Sequence, residues 1–429
     1  MDHQHEEDEV DRLSELPEPL ILHIISYVPT KYGIRTSVLS RRFRNLWTAS
    51  SSLELHRSHF PTGYSFIKAT NDCFRRHDPL VPLLRLCLKA YSSLTKRISL
   101  PFKSSSDWIS RASLIGLCDL SLHIHTDTFE RLFPFILSLP SLESLEIHCF
   151  DIDNIRNYSF KPLVPPTFLL KNIKKLHLIA KVSCSDLTLF MTQQTRLEYL
   201  YFEPVLQSTI ELSSQTLKVL KIISSGLEPV SVNLSFPRLE FLELKMQVTI
   251  LLQDFHGEMP LLRWAVVKLS NAIVGGVPAI GGMLRSIANV KELTLHTGYP
   301  LPSDIPPFHM LTEPGKELPE FPNLRSIKLS TCFHEEGIQD LICLLQHAPV
   351  LETLKLDHVD MEFDLIKYRR KRKNDGSLIP ISEMWKSRLP YVLPYDNEHA
   401  YFTDLHTGNT KIELIKLLCQ GQSSKKQKL

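Results

Sequence analysis

A six-residue pattern, L-x-x-L-x-L, recurs along the middle of the chain and constrains its fold more than any other feature. The apolar positions, filled by Leu, Ile, Val, Phe or Ala, have the spacing of one side of a short strand. Ten copies begin between positions 117 and 351, so the pattern repeats on average once every ~26 residues, as structural repeats do. The copies are Leu117/Leu120/Leu122, Leu142/Leu145/Ile147, Ile173/Leu176/Leu178, Leu197/Leu200/Phe202, Leu217/Leu220/Ile222, Leu239/Leu242/Leu244, Leu262/Ala265/Val267, Val290/Leu293/Leu295, Leu324/Ile327/Leu329 and Leu351/Leu354/Leu356.

This period lies within the range of about 20–29 residues that is typical of leucine-rich repeats. A single strand cannot cover its own leucines, so neighbouring copies are expected to stack as parallel strands, each followed by a helical or extended return segment. Unrelated leucine-rich strands would not keep a near-constant period over ten copies. The predicted fold is an α/β solenoid whose repeats, assigned to residues 117–320, form an irregular arc, with residues 51–116 as a linker and N-terminal cap.

Two segments inside the repeats are predicted to be insertions. Residues 271–283 contain two Gly-Gly pairs, but no Gly-Lys-Ser/Thr follows them and they lack the spacing of a dinucleotide-binding loop. A flexible loop within a weak repeat is the favoured interpretation. Residues 298–320 are rich in proline and are predicted to form a second long insertion.

The stretch from residue 16 to residue 47 is predicted to form a separate helical unit. Pro29 would end the first helix, and Thr30 and Ser40 would act as N-caps of two further short helices, Lys31–Val38 and Arg41–Thr48. Three short helices cannot bury this much apolar surface among themselves, so the surplus should contact another protein. The apolar stripe of the first helix consists of Leu20, Ile21, Ile24, Ile25 and Val28.

These residues carry a resemblance to a known family. Leu16-Pro17, Pro29-Thr30-Lys31, Arg35–Ser40 and Arg44–Trp47 resemble the F-box of plant F-box/leucine-rich-repeat proteins, here at residues 14–50. Gly33, in a pair that departs from the usual pattern, should cost about 1 kcal/mol in a short helix relative to Ala. The resemblance implies docking onto the Skp-type adaptor of an SCF ubiquitin ligase, and through it onto cullin and RING subunits. The expected adaptor-binding residues are Leu16, Pro17, Leu20, Ile24, Val28, Val38, Leu39 and Trp47.

The C-terminal part, residues 321–421, resembles in part the FBD domain of many plant F-box proteins. The resemblance starts at Phe321-Pro322-Asn323-Leu324 and Ala348–Leu354, and its second half includes Trp385 and Thr407-Gly408-Asn409. A basic insertion interrupts it, and the closing strand expected after Leu418 is missing. An acidic disordered arm, residues 1–13, and a polar tail, residues 422–429, are expected to flank these domains.

Composition excludes several classes of function. The net charge of +2 over 429 residues gives no overall bias towards nucleic acid or membranes, and no apolar run is long enough to span a membrane. Eight scattered cysteines without a C-x-x-C pair exclude the common zinc-finger spacings and favour reduced thiols inside a cell. The acidic N-terminus is not a signal peptide. The expected location is the nucleus, the cytoplasm or both.

No catalytic, cofactor or metal site is predicted. The chain has no G-x-S-x-G elbow, P-loop, H-E-x-x-H helix or cysteine-protease signature. His56 and His59 form one histidine pair and His123 and His125 another, but neither pair has a third ligand in the sequence. Each pair is more typical of ordinary surface or packing histidines. The protein is therefore expected to be a non-catalytic receptor without cofactors.

The repeats also predict a target-binding surface. The leucines of each copy point into the core, so the strand residues between them should point outward on the concave face. A row of exposed apolar and aromatic side chains there would be a typical binding anchor. The alternative is that one of the two insertions covers these rings. The predicted target-binding residues are Tyr199, Tyr201, Val219, Lys221, Phe241 and Glu243.

A run of six cations in the C-terminal part is a candidate nuclear-import signal. A solvated loop is an equally good interpretation, and either requires exposure, because six unpaired cations cannot be buried. The run consists of Lys367, Arg369, Arg370, Lys371, Arg372 and Lys373.

Three functions remain open at this stage. The first is the substrate-recognition subunit of an SCF ubiquitin ligase, with an unknown target protein. The second is a protein-interaction scaffold that directs no ubiquitin transfer. The third is a nucleic-acid-associated protein that uses the basic segment 367–373, although nucleic acid is not the favoured partner.

Overall fold

A computed structural model describes the chain in separate stretches that fall into two units, Met1–Ala180 (unit 1) and Lys181–Leu429 (unit 2). The acidic arm up to residue 12, the basic run, the polar tail and most of the insertion 298–320 lie outside the described residues. So does most of the second half of the FBD-like region. The described residues are 13, 15–90, 108, 116–125, 128–129, 132, 135–136, 139–150, 170–182, 184–204, 209–225, 230–247, 252–270, 277–297, 318–330, 344–357, 392–396 and 399–402.

Unit 1 begins with the predicted helical unit. Pro17 precedes the first helix in an extended conformation, with φ −55° and ψ 141°, and Pro19 lies in its first turn, where an N–H would have no helical partner. The helical elements are α1 (Glu18–Ser26), α2 (Thr30–Arg35) and two short 3₁₀ helices, Thr36–Val38 and Leu46–Ala49.

The predicted N-caps of this unit are wrong. Pro29 is the residue before α2, with ψ 137°, and Thr30 lies inside the helix and is buried. The Thr30 hydroxyl instead accepts a hydrogen bond of 2.8 Å from the backbone N–H of Glu54. Ser40 starts no helix, because turns follow it as far as the 3₁₀ helix at Leu46.

Five parallel strands follow in unit 1 and pair in chain order. The first two come earlier than the predicted start of the repeats at residue 117, so the ladder extends into the segment interpreted as a cap. Helix α3 (Gly63–Arg76), which begins with a capping box between Thr62 and Ser65, separates them. The strands are β1 (Ser52–His56), β2 (Arg85–Lys89), β3 (Asp119–His125), β4 (Ser144–Phe150) and β5 (Lys175–Val182).

Unit 2 continues the same strand pattern. Seven strands form a parallel ladder. An eighth strand pairs with the last member of the ladder in antiparallel fashion, and a ninth pairs antiparallel with the eighth. In ladder order they are β6 (Tyr199–Pro204), β8 (Val219–Ser225), β10 (Phe241–Gln247), β12 (Trp264–Ser270), β13 (Glu292–Thr297), β14 (Ser326–Ser330), β15 (Thr353–Asp357), β17 (His399–Phe402) and β16 (Val392–Asp396).

The return segments between these strands form a second layer in unit 2. Three of them are strands of a small parallel sheet in the order β11, β9, β7. Helix α4 (Cys184–Gln193) packs beside β7 and helix α5 (Val277–Ser286) beside β11. The three strands are β7 (Thr209–Ser213), β9 (Val230–Ser235) and β11 (Leu252–Glu258).

Helix α5 shows that the loop predicted over residues 271–283 is wrong from residue 277 onward. The glycines that suggested a loop serve close packing instead. A Cβ atom on Gly282 would collide with the backbone carbonyl oxygen of Phe255 in β11. The Ser286 hydroxyl also donates a 2.8 Å hydrogen bond to the carbonyl oxygen of Gly282. Glycine therefore allows the helix to approach the strand at van der Waals distance.

The core lies where the six-residue pattern predicts it. Every position of the ten copies whose side chain the structure describes is buried, and the most exposed of them, Leu178, is only 8% exposed. The predicted inward positions are thus confirmed, and the parallel, strand-rich architecture is consistent with leucine-rich repeats. We call the opposite side of each unit's sheet its open face. Within the described stretches, no helix has the length and apolar character needed to cross a bilayer.

Candidate protein-interaction surfaces

Helix α1 has two apolar faces, and only one of them is covered. Ile21 and Ile25 are 1% and 6% exposed and form the interior of the helical unit. Leu20 and Ile24, on the neighbouring face, are 50% and 44% exposed. Two large aliphatic side chains one turn apart are costly to leave in water. This face therefore has the character of a docking surface.

A second exposed apolar group follows α2. Val38, at the end of the first 3₁₀ helix, is 87% exposed, and Leu39 directly after it is 59% exposed. Pro17 is also exposed, and Leu16 and Val28 are partly exposed. We call Leu16, Pro17, Leu20, Ile24, Val28, Val38 and Leu39 together the apolar docking residues.

Trp47 has a different place from the one expected. Its side chain is only 6% exposed, and the preceding residue, Leu46, is buried as well. The indole is therefore part of the interior that supports the unit and offers almost no surface to a partner. This corrects its prediction as a contact residue, since sequence spacing alone does not separate the inner from the outer face of so short a segment.

Gly33 explains how α1 and α2 can pack closely. A Cβ atom at this position would lie 3.3 Å from Cγ2 of Ile25 and 3.7 Å from Cβ of Trp47. The glycine is buried, and the absence of a Cβ atom allows the close contact between the helices. Its lower helix propensity relative to Ala is the cost of this contact. A hydrogen bond of 2.6 Å from Nη2 of Arg42 to the carbonyl oxygen of Leu16 holds the N-terminal flank.

The helical unit is also tied to the rest of unit 1. The backbone N–H of Asp78 donates to the Thr48 carbonyl oxygen at 2.9 Å, and Nε2 of the buried His77 lies 2.9 Å from the Ser50 carbonyl oxygen. Together with the bond between Glu54 and Thr30, these contacts connect the helices to β1 and to the end of α3. The apolar docking residues therefore belong to a helical unit that is hydrogen-bonded to the rest of unit 1.

The open face of unit 2 holds the predicted target-binding residues. Backbone pairing places Val219 opposite both Tyr199 and Phe241, so the three side chains form one row across β6, β8 and β10. Trp264 in β12 is in register with Phe241 and extends this row, a member that sequence reasoning missed. We call Tyr199, Val219, Phe241 and Trp264 the aromatic row.

All four side chains of the aromatic row are partly exposed. None of them is fully buried and none is fully exposed, and most of the insertion 298–320 that the alternative places over the rings lies outside the described residues. The row ends at β13, where the position in register with Trp264 is Glu292. The frame of the weak seventh copy, Leu262/Ala265/Val267, was the signal that could have identified Trp264, because it places this residue where the fourth copy has Tyr199.

A charged row lies beside the aromatic row. Tyr201, Lys221 and Glu243 are in register two residues further along the same strands. Nζ of Lys221 lies 3.1 Å from Oε2 of Glu243 and 5.3 Å from the centroid of the Phe241 ring. Burial, together with the neighbouring Glu203 and Glu243, raises the pKa of the Tyr201 hydroxyl. Aromatic side chains are enriched at the core of protein interfaces, whereas the rim is polar.

Comparison with known proteins assigns the helical unit. Residues 13–55 match the F-box domain family. The chain carries an F-box. The match covers α1, α2, both 3₁₀ helices and most of β1, and it contains every apolar docking residue. F-box domains generally bind Skp-type adaptors.

Relatives in Arabidopsis thaliana extend the similarity beyond the F-box. The chain is 27% identical to a putative F-box protein, over 89% of this chain and 86% of the relative. It is 28% identical to one F-box/FBD/LRR-repeat protein, over 96% of this chain and 89% of the relative. It is 23% identical to another, over 81% and 78%. The chain is thus homologous to plant F-box/FBD/LRR-repeat proteins over most of its length, and these relatives indicate no enzymatic family.

Proposed function

We propose that this protein is the substrate-recognition subunit of an SCF ubiquitin ligase. Its F-box docks a Skp-type adaptor, which connects the chain to cullin and RING subunits, and its repeats hold the target protein. The chain catalyses nothing itself and acts by proximity, because it holds a target beside a ubiquitin-charged enzyme. The observation that carries this proposal is the exposure of Leu20, Ile24, Val38 and Leu39 within a domain that matches the F-box family.

The adaptor contact is tested by a double substitution, Leu16→Ala with Pro17→Ala. We expect severe loss of adaptor binding in a pull-down with the full chain, while the melting temperature stays close to that of the wild type. Leu80→Ala is a matched control, because Leu80 lies in unit 1, is 90% exposed and is outside the F-box match. Wild-type adaptor affinity in the double variant would refute the assigned docking surface.

Ubiquitin transfer separates a ligase receptor from a scaffold. The full chain, adaptor, cullin and RING subunits are combined with ubiquitin and charged enzyme, and ubiquitination of co-purified proteins is measured. Transfer that depends on this chain supports the receptor function. Adaptor binding without transfer to any co-purified protein favours the scaffold.

We assign target capture to the open face of unit 2. Changing Tyr199, Tyr201 and Phe241 to Ala should abolish capture of proteins that accumulate on the complex under proteasome inhibition, and should spare adaptor binding. Partial exposure of the three rings supports this assignment. A sharp fall in melting temperature would show instead that the rings belong to the core, and the target surface would then lie elsewhere.

Nuclear location is the remaining part of the proposal. The basic run 367–373 is the candidate import signal, and the competing interpretation is a solvated loop. Changing all six cations to Gln in a fluorescent fusion should lower the nuclear fraction. An unchanged distribution would favour the loop.

A further inference from the structure

The open face of unit 1 carries a cluster of histidines around one carboxylate. Strand register places Glu146 in β4 beside Ser121 in β3 and His177 in β5. The same register places His123 beside His148. The two rings are stacked, with their centroids 3.9 Å apart and their planes 14° from parallel.

The ring nitrogens of this cluster converge on one oxygen atom. Oε1 of Glu146 lies 2.9 Å from Nε2 of His148 and 3.8 Å from Nε2 of His123. Nδ1 of His177 is also 3.8 Å from this oxygen. One ligand atom from each of His123, Glu146 and His148 lies within 4.8 Å of the other two. Ligand atoms around tetrahedral zinc, with bonds of about 2.0–2.1 Å, are about 3.3 Å apart. The distances from Oε1 of Glu146 to the two Nε2 atoms lie on either side of this value. The stacked rings of His123 and His148 must turn about their side-chain bonds for both Nε2 lone pairs to point at one ion.

A neighbouring hydroxyl group holds the carboxylate of Glu146 in place. The Ser121 hydroxyl donates a 2.8 Å hydrogen bond to Oε2 of Glu146, which leaves Oε1 directed towards the histidines. Nε2 atoms of both His123 and His148 are shielded from solvent. Orientation of a ligand by a neighbouring hydrogen bond is characteristic of metal sites in proteins.

We propose that His123, Glu146 and His148 bind one divalent transition-metal ion of the zinc class. Two imidazoles and one carboxylate suit zinc, whereas calcium and magnesium prefer oxygen ligands alone. His177 is the candidate fourth ligand, and a water molecule is the other group that can complete the coordination. The ligands come from neighbouring strands, so the bound ion links β3 to β4. This site is independent of the function proposed above.

A second donor group on the same sheet must be distinguished from this site. Glu54, His56 and Cys87 also have ligand atoms within 4.8 Å of one another. Cys87 is buried, and burial raises the pKa of its thiol, which disfavours the thiolate that binds metals. The two groups differ in one respect that spectroscopy detects, since only the second contains sulfur.

Calorimetric titration of the full-length chain with zinc chloride tests the proposal. The protein is produced without a histidine tag and stripped of metal with a chelator. We expect one zinc ion per chain and a higher melting temperature when zinc is bound. His148→Ala should lower the affinity at least about 100-fold, because even residues that only orient ligands typically contribute about 10–100-fold.

His256→Ala is the matched control. His256 also follows an acidic residue by two positions, with its Nε2 atom 2.9 Å from Oδ2 of Asp254, but it is exposed and lies in unit 2. Its loss should leave zinc affinity unchanged. Equal affinity of the wild type and His148→Ala would overturn the proposal, as would the absence of stoichiometric binding by the wild type.

Cobalt substitution in the wild-type chain gives a second measurement that needs no variant to fold. Binding at the proposed site should produce visible d–d bands without a thiolate-to-cobalt charge-transfer band, and Cys87→Ser should not change the spectrum. A charge-transfer band that disappears in Cys87→Ser would assign the ion to the other donor group and overturn the proposal.

Discussion

The F-box and the repeat strands are both rich in Leu and Ile, but these side chains are buried in the repeat strands and partly exposed in the F-box. In the repeats, leucines at the inward positions of the pattern are covered by neighbouring strands, and Leu242 is 0% exposed. In the F-box, Leu20 and Ile24 leave about half of their surface in water although they are next to a buried face. At their inward positions the described repeats cover their own leucines, whereas the F-box has more apolar surface than its own helices can cover. The surplus is therefore the signal of a partner, and apolar content alone is not.

The largest effect that distinguishes the two regions should come from the repeats. Leu242→Ala removes a side chain with no solvent contact, so we expect the free energy of unfolding to fall by about 2–5 kcal/mol. Denaturant titration of the full chain measures this change. Leu261→Ala, also in unit 2 but at a position that is 55% exposed, is the control and should change stability little. Equal effects of both substitutions would break the comparison.

A glycine substitution should show how little free space the repeat layers have. Gly282→Ala forces a methyl group against the Phe255 carbonyl oxygen, and overpacking of this kind costs about 1–3 kcal/mol. Gly281→Ala is the matched control in the same helix, because its methyl group would meet only the movable end of Arg285, at 3.4 Å. The control should keep or slightly raise the melting temperature, by the higher helix propensity of Ala. A stable Gly282→Ala variant would mean that α5 can shift away from β11.

The F-box should respond to substitution in binding and not in stability. Leu20→Ala removes exposed surface, so we expect the free energy of unfolding to change by less than about 0.5 kcal/mol. Adaptor affinity should fall at least about tenfold, the effect typical of an anchor residue. Biolayer interferometry with purified adaptor measures the affinity. Loss of stability without loss of affinity would place Leu20 in the interior and sharpen the border between the two faces of α1.

The smallest expected effect is the pH dependence of stability that arises from His59, which lies just after the F-box match. Burial lowers the pKa of His59, and the neighbouring His56 and Lys31 lower it further. The folded state then binds fewer protons than the unfolded state below the unfolded pKa of about 6.5. Stability from this residue is complete above that pH and is lost as the pH falls towards the folded pKa. The loss of melting temperature between pH 7.5 and pH 5.5 should be smaller in His59→Gln, and equal losses would contradict the assignment.

The repeat core and three members of the aromatic row could be predicted because they depend on a short period. Once the leucines are assigned to one side of a strand, Tyr199, Val219 and Phe241 must lie on the other side and in register. A shift by a single residue would move every leucine out of the core. These features therefore follow from local spacing alone.

Features that depend on tertiary contacts could not be predicted in this way. Helix α5 exists although its segment contains Gly281 and Gly282, since the need for glycine arises from β11 and not from the helix itself. The donors around Glu146 come from three strands that are well separated in sequence, and only the pairing of these strands brings them together. His123 and His125 looked like an isolated pair because the partners of His123 lie on β4.

The spacing of strand partners also determines how such a chain can reach its folded state. Phe241 pairs with Val219 in the preceding repeat and with Trp264 in the following repeat. Each new strand therefore closes a loop of a single repeat, and the entropic cost of closure rises only slowly with loop length. Folding can begin at any adjacent pair of strands and spread in both directions. The sequence separation between paired neighbouring strands is therefore set by one repeat and not by the full length of 429 residues.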